Sequence, residues 1–166
     1  MKYSLPAALA LCLLLPGCAA DPTPAYDPSA FTCTLAIDSV STGENGYFGA
    51  AFSSENGMAV LTVTSPERLA GLTFSFTEAG CAMEAGGVMI PLSREASASL
   101  TTLADLLCAA PESALDRKKT ADGTVLVFDS GRLTLNGDGL PVLAETTDGR
   151  RALLTMHPAG VMTETQ

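Results

Sequence analysis

With 166 residues and a formal charge of −9, from 18 Asp and Glu against 9 Lys and Arg, the chain has room for one domain of ordinary size. Phosphate recognition needs clustered Lys and Arg, so an acidic chain with scattered basic residues argues against nucleic acid as a partner. The same charge offers no electrostatic attraction to an anionic membrane surface, so any attachment to a bilayer has to come from acyl chains.

The chain starts with one basic residue, Lys2, and an apolar run from Leu5 to Leu15. That run is about half the roughly 20 residues a bilayer crossing needs, and it reads as a secretory signal. It closes on Leu15-Pro16-Gly17-Cys18, which resembles the lipobox of bacterial lipoproteins, with Pro16 an unusual residue there. The resemblance implies that residues 1–17 are removed and that Cys18 is acylated and becomes the first residue of the mature chain. The alternative is an ordinary signal peptide cut nearby, for example after Ala20. The lipobox reading implies an extracytoplasmic protein anchored to the bacterial cell membrane. If the envelope has two membranes, Ala19 is compatible by family habit with the outer one. Cys12 leaves with the signal, so Cys33, Cys81 and Cys108 remain. They allow at most one internal disulfide and one spare thiol, or three small buried apolar residues.

Residues 18–30 combine Cys18 with a proline-stiffened linker, Ala-Ala-Asp-Pro-Thr-Pro-Ala-Tyr-Asp-Pro-Ser-Ala. From Phe31 to Asp38 apolar and polar residues alternate, as in a half-buried strand. A turn at Ser41 to Gly46 follows. Strands are then expected from Tyr47 to Ser53 and from Met58 to Thr64, around the hairpin signal Glu55-Asn56-Gly57. Pro66 takes the chain out of the sheet for about one helical turn. Leu72 to Thr77 alternates again, a shorter strand covers Cys81 to Glu84, and Pro91 marks Val88 to Leu92 as an edge or an exit.

The period changes in Ser97 to Ala110, where Leu100, Leu103, Leu106, Leu107 and Ala110 recur at helical spacing until Pro111. The one basic cluster, Asp116-Arg117-Lys118-Lys119, reads as a solvated loop, with a partner contact as the alternative. Val125 to Phe128, Arg132 to Asn136, Leu140 to Thr146 and Arg151 to Met156 form an antiparallel meander with tight turns. The domain is thus expected over residues 31–157, with a tail at 158–166. The fold class is mainly β (α+β): a curved antiparallel sheet, or half-barrel, of about nine strands with one covering amphipathic helix.

The segment Val63-Thr64-Ser65-Pro66-Glu67-Arg68-Leu69-Ala70-Gly71-Leu72-Thr73-Phe74 and the meander after the helix resemble the lipoprotein-carrier family of the bacterial envelope, the LolA/LolB-like half-barrels. The likeness covers about a dozen residues by motif, and residues 31–156 by pattern. The chain departs from the family at its front, where the linker runs into Phe31 without a preceding amphipathic helix. The resemblance implies a concave apolar face able to hold acyl chains.

Catalytic signatures are lacking. There is no Gly-x-Ser-x-Gly, His-Glu-x-x-His or Cys-x-x-Cys, and the single histidine, His157, stands before Pro158 near the chain end. No cofactor, metal site or catalytic residue is expected, with an enzyme that uses only carboxylates and Ser as the distant last alternative. Phe31, Leu35, Ile37, Phe74 and Phe76 alternate on their strands and face Leu100, Leu103 and Leu107 of the helix. They read either as plain core or as the lining of a ligand cavity. The expected function is non-catalytic binding of an apolar ligand or lipid. The alternative is a structural or interaction lipoprotein that docks an envelope protein partner.

Overall fold

The computed structural model describes residues 26–38 and 47–157. Cys18, the start of the linker, the turn expected at Ser41 to Gly46 and the tail lie outside the described residues. Within them the chain forms eleven strands and one α-helix. The strands are β1 (Ala30–Asp38), β2 (Tyr47–Glu55), β3 (Met58–Ser65), β4 (Thr73–Thr77), β5 (Gly80–Ala85), β6 (Val88–Pro91), β7 (Asp116–Thr120), β8 (Gly123–Phe128), β9 (Gly131–Asn136), β10 (Pro141–Thr146) and β11 (Arg151–His157). The helix α1 (Arg94–Leu107) lies between β6 and β7.

All strands join one sheet in the order β6-β5-β4-β3-β2-β1-β11-β10-β9-β8-β7, and every pairing between neighbours is antiparallel. Two meanders therefore meet at the middle, where the first strand pairs with the last: Cys33 stands opposite Met156 and Ile37 opposite Ala152. The chain leaves one edge of the sheet at β6 and re-enters at the other edge, β7, through α1. A flat sheet of eleven strands would be about 48 Å wide at roughly 4.8 Å per strand, while a helix of this length spans about 21 Å. Curling the sheet around the helix into a half-barrel brings the two edges within easy reach of its ends.

Alternation along the strands decides which face closes on the helix. Phe31, Cys33, Leu35 and Ile37 of β1 are buried, as are Phe52 of β2, Leu61 and Val63 of β3, Leu126 of β8 and Leu133 and Leu135 of β9. Leu103, Leu106 and Leu107 of α1 complete this core. The helix begins at a cap: the Ser93 hydroxyl accepts a hydrogen bond from the Ala96 amide, and the Ser97 hydroxyl donates to the Ser93 carbonyl. The apolar period alone places the start at Ser97, because the capping turn Arg94 to Ala96 points its side chains outward.

Two further expectations change. The basic cluster at 116–119 is not a loop but most of β7, paired with β8 from Asp116 opposite Val127 to Thr120 opposite Gly123. All five of its side chains are exposed, so no alternation marks it; the backbone ladder alone makes it a strand. The linker also ends earlier than expected. Tyr26 is buried, with 8% of its surface exposed, and its ring packs edge-on against Phe31 with centroids 5.7 Å apart.

The turn between β10 and β11 is tied to the helix. The Ser99 hydroxyl donates to Asp148 Oδ2 at 2.6 Å, and the Thr146 hydroxyl donates to Asp148 Oδ1. These bonds, Ser99 first and then Thr146, hold the Asp148 carboxyl below the usual carboxylate range. Because the folded-state pKa is depressed, the stabilisation is present above the unfolded value of about 4 and is lost as pH falls through the folded value. Asp148→Ala is expected to lower stability at neutral pH by about 1 kcal/mol, a value kept small by the exposure of the site. The difference from wild type should shrink in strong acid, as read from urea midpoints at both pH values.

Candidate functional site

The helix does not cover the concave face evenly. One flank carries small residues, Ala96, Ser97, Thr101, Ala104 and Cys108, and it runs beside β4, whose inward residues are Phe74 and Phe76. Two clefts open along this flank. The first, of about 330 Å³, is walled by Thr101, Ala104, Asp105 and Cys108 on the helix and by Met58, Ala59 and Phe76 on the sheet. The β2–β3 and β4–β5 turns, through Gly57 and Glu78, form its rim, with Pro28 and Ser29 beside them. The second, of about 310 Å³, lies one helical turn toward the N-terminus, between Ala96, Ser99 and Leu100 on α1 and Ile37, Phe48 and Phe74 on the sheet, with Asp38, Glu95 and Arg150 at its border. Both are at the small end of the range typical of ligand sites, roughly 300–1,000 Å³.

Of the eight residues expected to face a cavity, Phe76 lines the first cleft, and Ile37, Phe74 and Leu100 line the second. Phe31, Leu35, Leu103 and Leu107 sit in the close-packed core and belong to neither lining. The helix thus comes closest to β10, β9 and β5 and leaves space over β3 and β4. The residues that create this space, Ala59, Thr101 and Ala104, are small, and sequence reasoning passed over them. Their signal is small side chains on the helix flank opposite phenylalanines on a strand.

The first cleft has a polar floor of low reactivity. The Cys108 thiol donates weakly to the Ser54 hydroxyl at 3.6 Å. Burial pushes the Cys108 thiol up, and burial, with a smaller contribution from Cys108, pushes Cys33 up to about 12. Burial also raises Cys81. Cys33, Cys81 and Cys108 are free thiols, and with raised pKa values they are protonated at neutral pH and poor nucleophiles. Burial likewise raises the Tyr26 hydroxyl, which has no hydrogen-bond partner among the described residues. At the mouth, partial burial pushes the Asp105 carboxyl up.

Among the described residues no group of three or more His, Cys, Asp or Glu side chains is placed to hold a metal ion. His157 lies away from both clefts, where its Nε2 is 2.9 Å from the hydroxyl of exposed Thr34. What the arrangement offers is apolar surface with a few hydroxyls and charged rims, suited to holding a chain of carbon atoms.

No protein-family model matches this chain, and no curated protein matches it. Among solved structures, the LolA superfamily protein NE2245 from Nitrosomonas europaea is similar over 80% of this chain and 86% of its own, at 12% identity and a TM-score of 0.44.

Proposed function

We propose that this protein is a non-catalytic binder of an apolar ligand, an acyl chain or similar lipid, held between α1 and the β3–β5 side of the half-barrel. The observation that carries the reading is the pair of clefts along one flank of the helix, with Phe74 and Phe76 as their aromatic wall. We further propose that the domain works outside the cytoplasm, tethered through acylated Cys18; the lipobox-like Leu15-Pro16-Gly17-Cys18 supports this. Cys18→Ala is expected to abolish labelling by a palmitate analogue and to release the protein from the membrane fraction. Retention of label and membrane attachment would overturn the anchor.

Binding is tested on the chain from residue 18 onward, with Cys18→Ser so that it carries no acyl group of its own. Native mass spectrometry with lipid extraction is expected to show acyl species released only on unfolding. Thr101→Phe puts a ring into the first cleft from a half-buried helix position. It is expected to weaken binding there by roughly tenfold or more, with little change in the urea midpoint. A wild-type chain that is free of lipid and takes up none when lipid is added would end the ligand reading.

One observation favours a second reading. The edge strand β6 exposes Val88, Met89 and Ile90 at 60, 66 and 42%. Unlike β7, it carries no charge to block pairing with another strand, so an envelope protein partner could add a strand there.

A further inference from the structure

The two clefts follow one another along a single line. Leu100 borders one and Thr101 the other; Phe74 borders one and Phe76 the other. Residues two apart on a strand share a face and lie roughly 7 Å apart. The side chains of Phe74, Phe76 and Leu100 thus stand where the two clefts approach one another. Phe74 and Leu100 are only half-buried, so they can change rotamer without opening the core.

The charges at the two ends restrict what can enter. The first cleft is bordered by Glu78 and Asp105 and by no basic residue, and the second by Asp38, Glu95 and Arg150. A free carboxylate or phosphate would meet two carboxylates at the first end, and at the second Asp38 and Glu95 outnumber the single cation Arg150, whose charge Asp148 already offsets in part. Arg150 supplies a different group: its Nε is buried and has no hydrogen-bond partner among the described residues. Leaving a buried N–H of a charged group unpaired is costly, and a ligand oxygen would remove that cost. Asp148, the nearest carboxylate in sequence, feels the Arg150 charge, but its oxygens are engaged by the hydroxyls of Ser99 and Thr146, and Nε stays unpaired.

We propose that the two clefts are halves of one groove that takes a single long acyl chain borne on a neutral ester. The ester carbonyl accepts a hydrogen bond from Arg150 Nε, and the chain passes Phe74 and Leu100 into the cleft beside Phe76. This rests on the ligand-binding reading above and names the ligand class and its direction in the groove.

The test uses the chain from residue 18 onward with Cys18→Ser, and native mass spectrometry to count bound molecules of monolauroylglycerol and monostearoylglycerol, with lauric and stearic acids for comparison. The stearoyl ester is expected to bind one per chain and more tightly than the lauroyl ester by roughly tenfold or more, since each added buried methylene contributes. Stearic acid is expected to bind more weakly than its ester. Arg150→Lys keeps the charge but removes the Nε–H, and is expected to reduce the ester's advantage over the acid while the urea midpoint stays near wild type. Two lauroyl esters per chain with no gain for the stearoyl ester would show two separate sites and overturn the single groove, leaving the ligand reading in place. Stearic acid binding as tightly as its ester would overturn the role given to Arg150. Failure of all four probes to bind would end both the proposal and the reading beneath it.

Discussion

Gly131→Ala is expected to destabilise the fold by about 3 kcal/mol, moving the urea midpoint down by about 1 M or more. Gly131 opens β9 directly after the turn that follows β8, at φ +149, a region that residues with a Cβ rarely adopt. A Cβ there would overlap the carbonyl oxygen of Glu145 on β10 and approach the Thr146 Cα to 2.8 Å. These are backbone atoms of the pair that ends the β9–β10 ladder, so no flexible side chain can move aside. Strain and overlap act together, and relief of either would shift the β9–β10 register, where Gly131 stands opposite Thr146. Gly137→Ala is the control. A Cβ at that turn position meets nothing within 4 Å, and the expected change is within about 0.5 kcal/mol. Equal midpoints for the two variants would refute the account of the β8–β9 corner.

Leu106→Ala is expected to cost about 3 kcal/mol, within the usual span for a leucine deleted from a packed core. Leu106 is 0% exposed and lies on the helix face that meets the core. The sheet has one helix to cover its concave side among the described residues, so a cavity under α1 weakens the contact on which both clefts depend. The matched substitution Leu100→Ala, at a half-buried position beside open space, should cost about 1 kcal/mol, because little additional cavity is made. Chemical denaturation of the two variants measures the difference. If they were equally destabilised, the packing of the helix would not be as uneven as the structure shows.

Much of the architecture was legible because a sheet with one buried face writes a period of two into each strand. Phe31 to Ile37 and Leu72 to Phe76 both show it, and Asn56-Gly57 marks a hairpin between β2 and β3. β7 was not legible, since every side chain of Asp116 to Thr120 faces solvent and its strand character lies in hydrogen bonds to β8. The distinction between core and cleft was hidden for a related reason. Alternation reports which face a residue takes, not how deeply the helix lies over it. Phe31 and Phe74 have the same local pattern, yet β1 is the central strand and Phe31 sits in the core, while β4 lies two strands from an edge and Phe74 borders a cleft. That placement comes from the pairing of β1 with β11, a contact between the two ends of the domain that no local pattern contains. Tyr26 was masked by its proline-rich surroundings, and the partnerless Arg150 Nε has no counterpart in sequence.

The same central position has a mechanical meaning. A load arriving at Ala30 through the preceding chain would pull along β1, which is bound on one side by β2, from Ala30 to Asp38, and on the other by β11, from Thr32 to Ile37. Drawn lengthwise, the strand has to shear two ladders at once, whereas an edge strand such as β6 could be peeled one bond at a time. A domain held by its front end is thereby gripped at its strongest seam, and its weaker margins carry no tension.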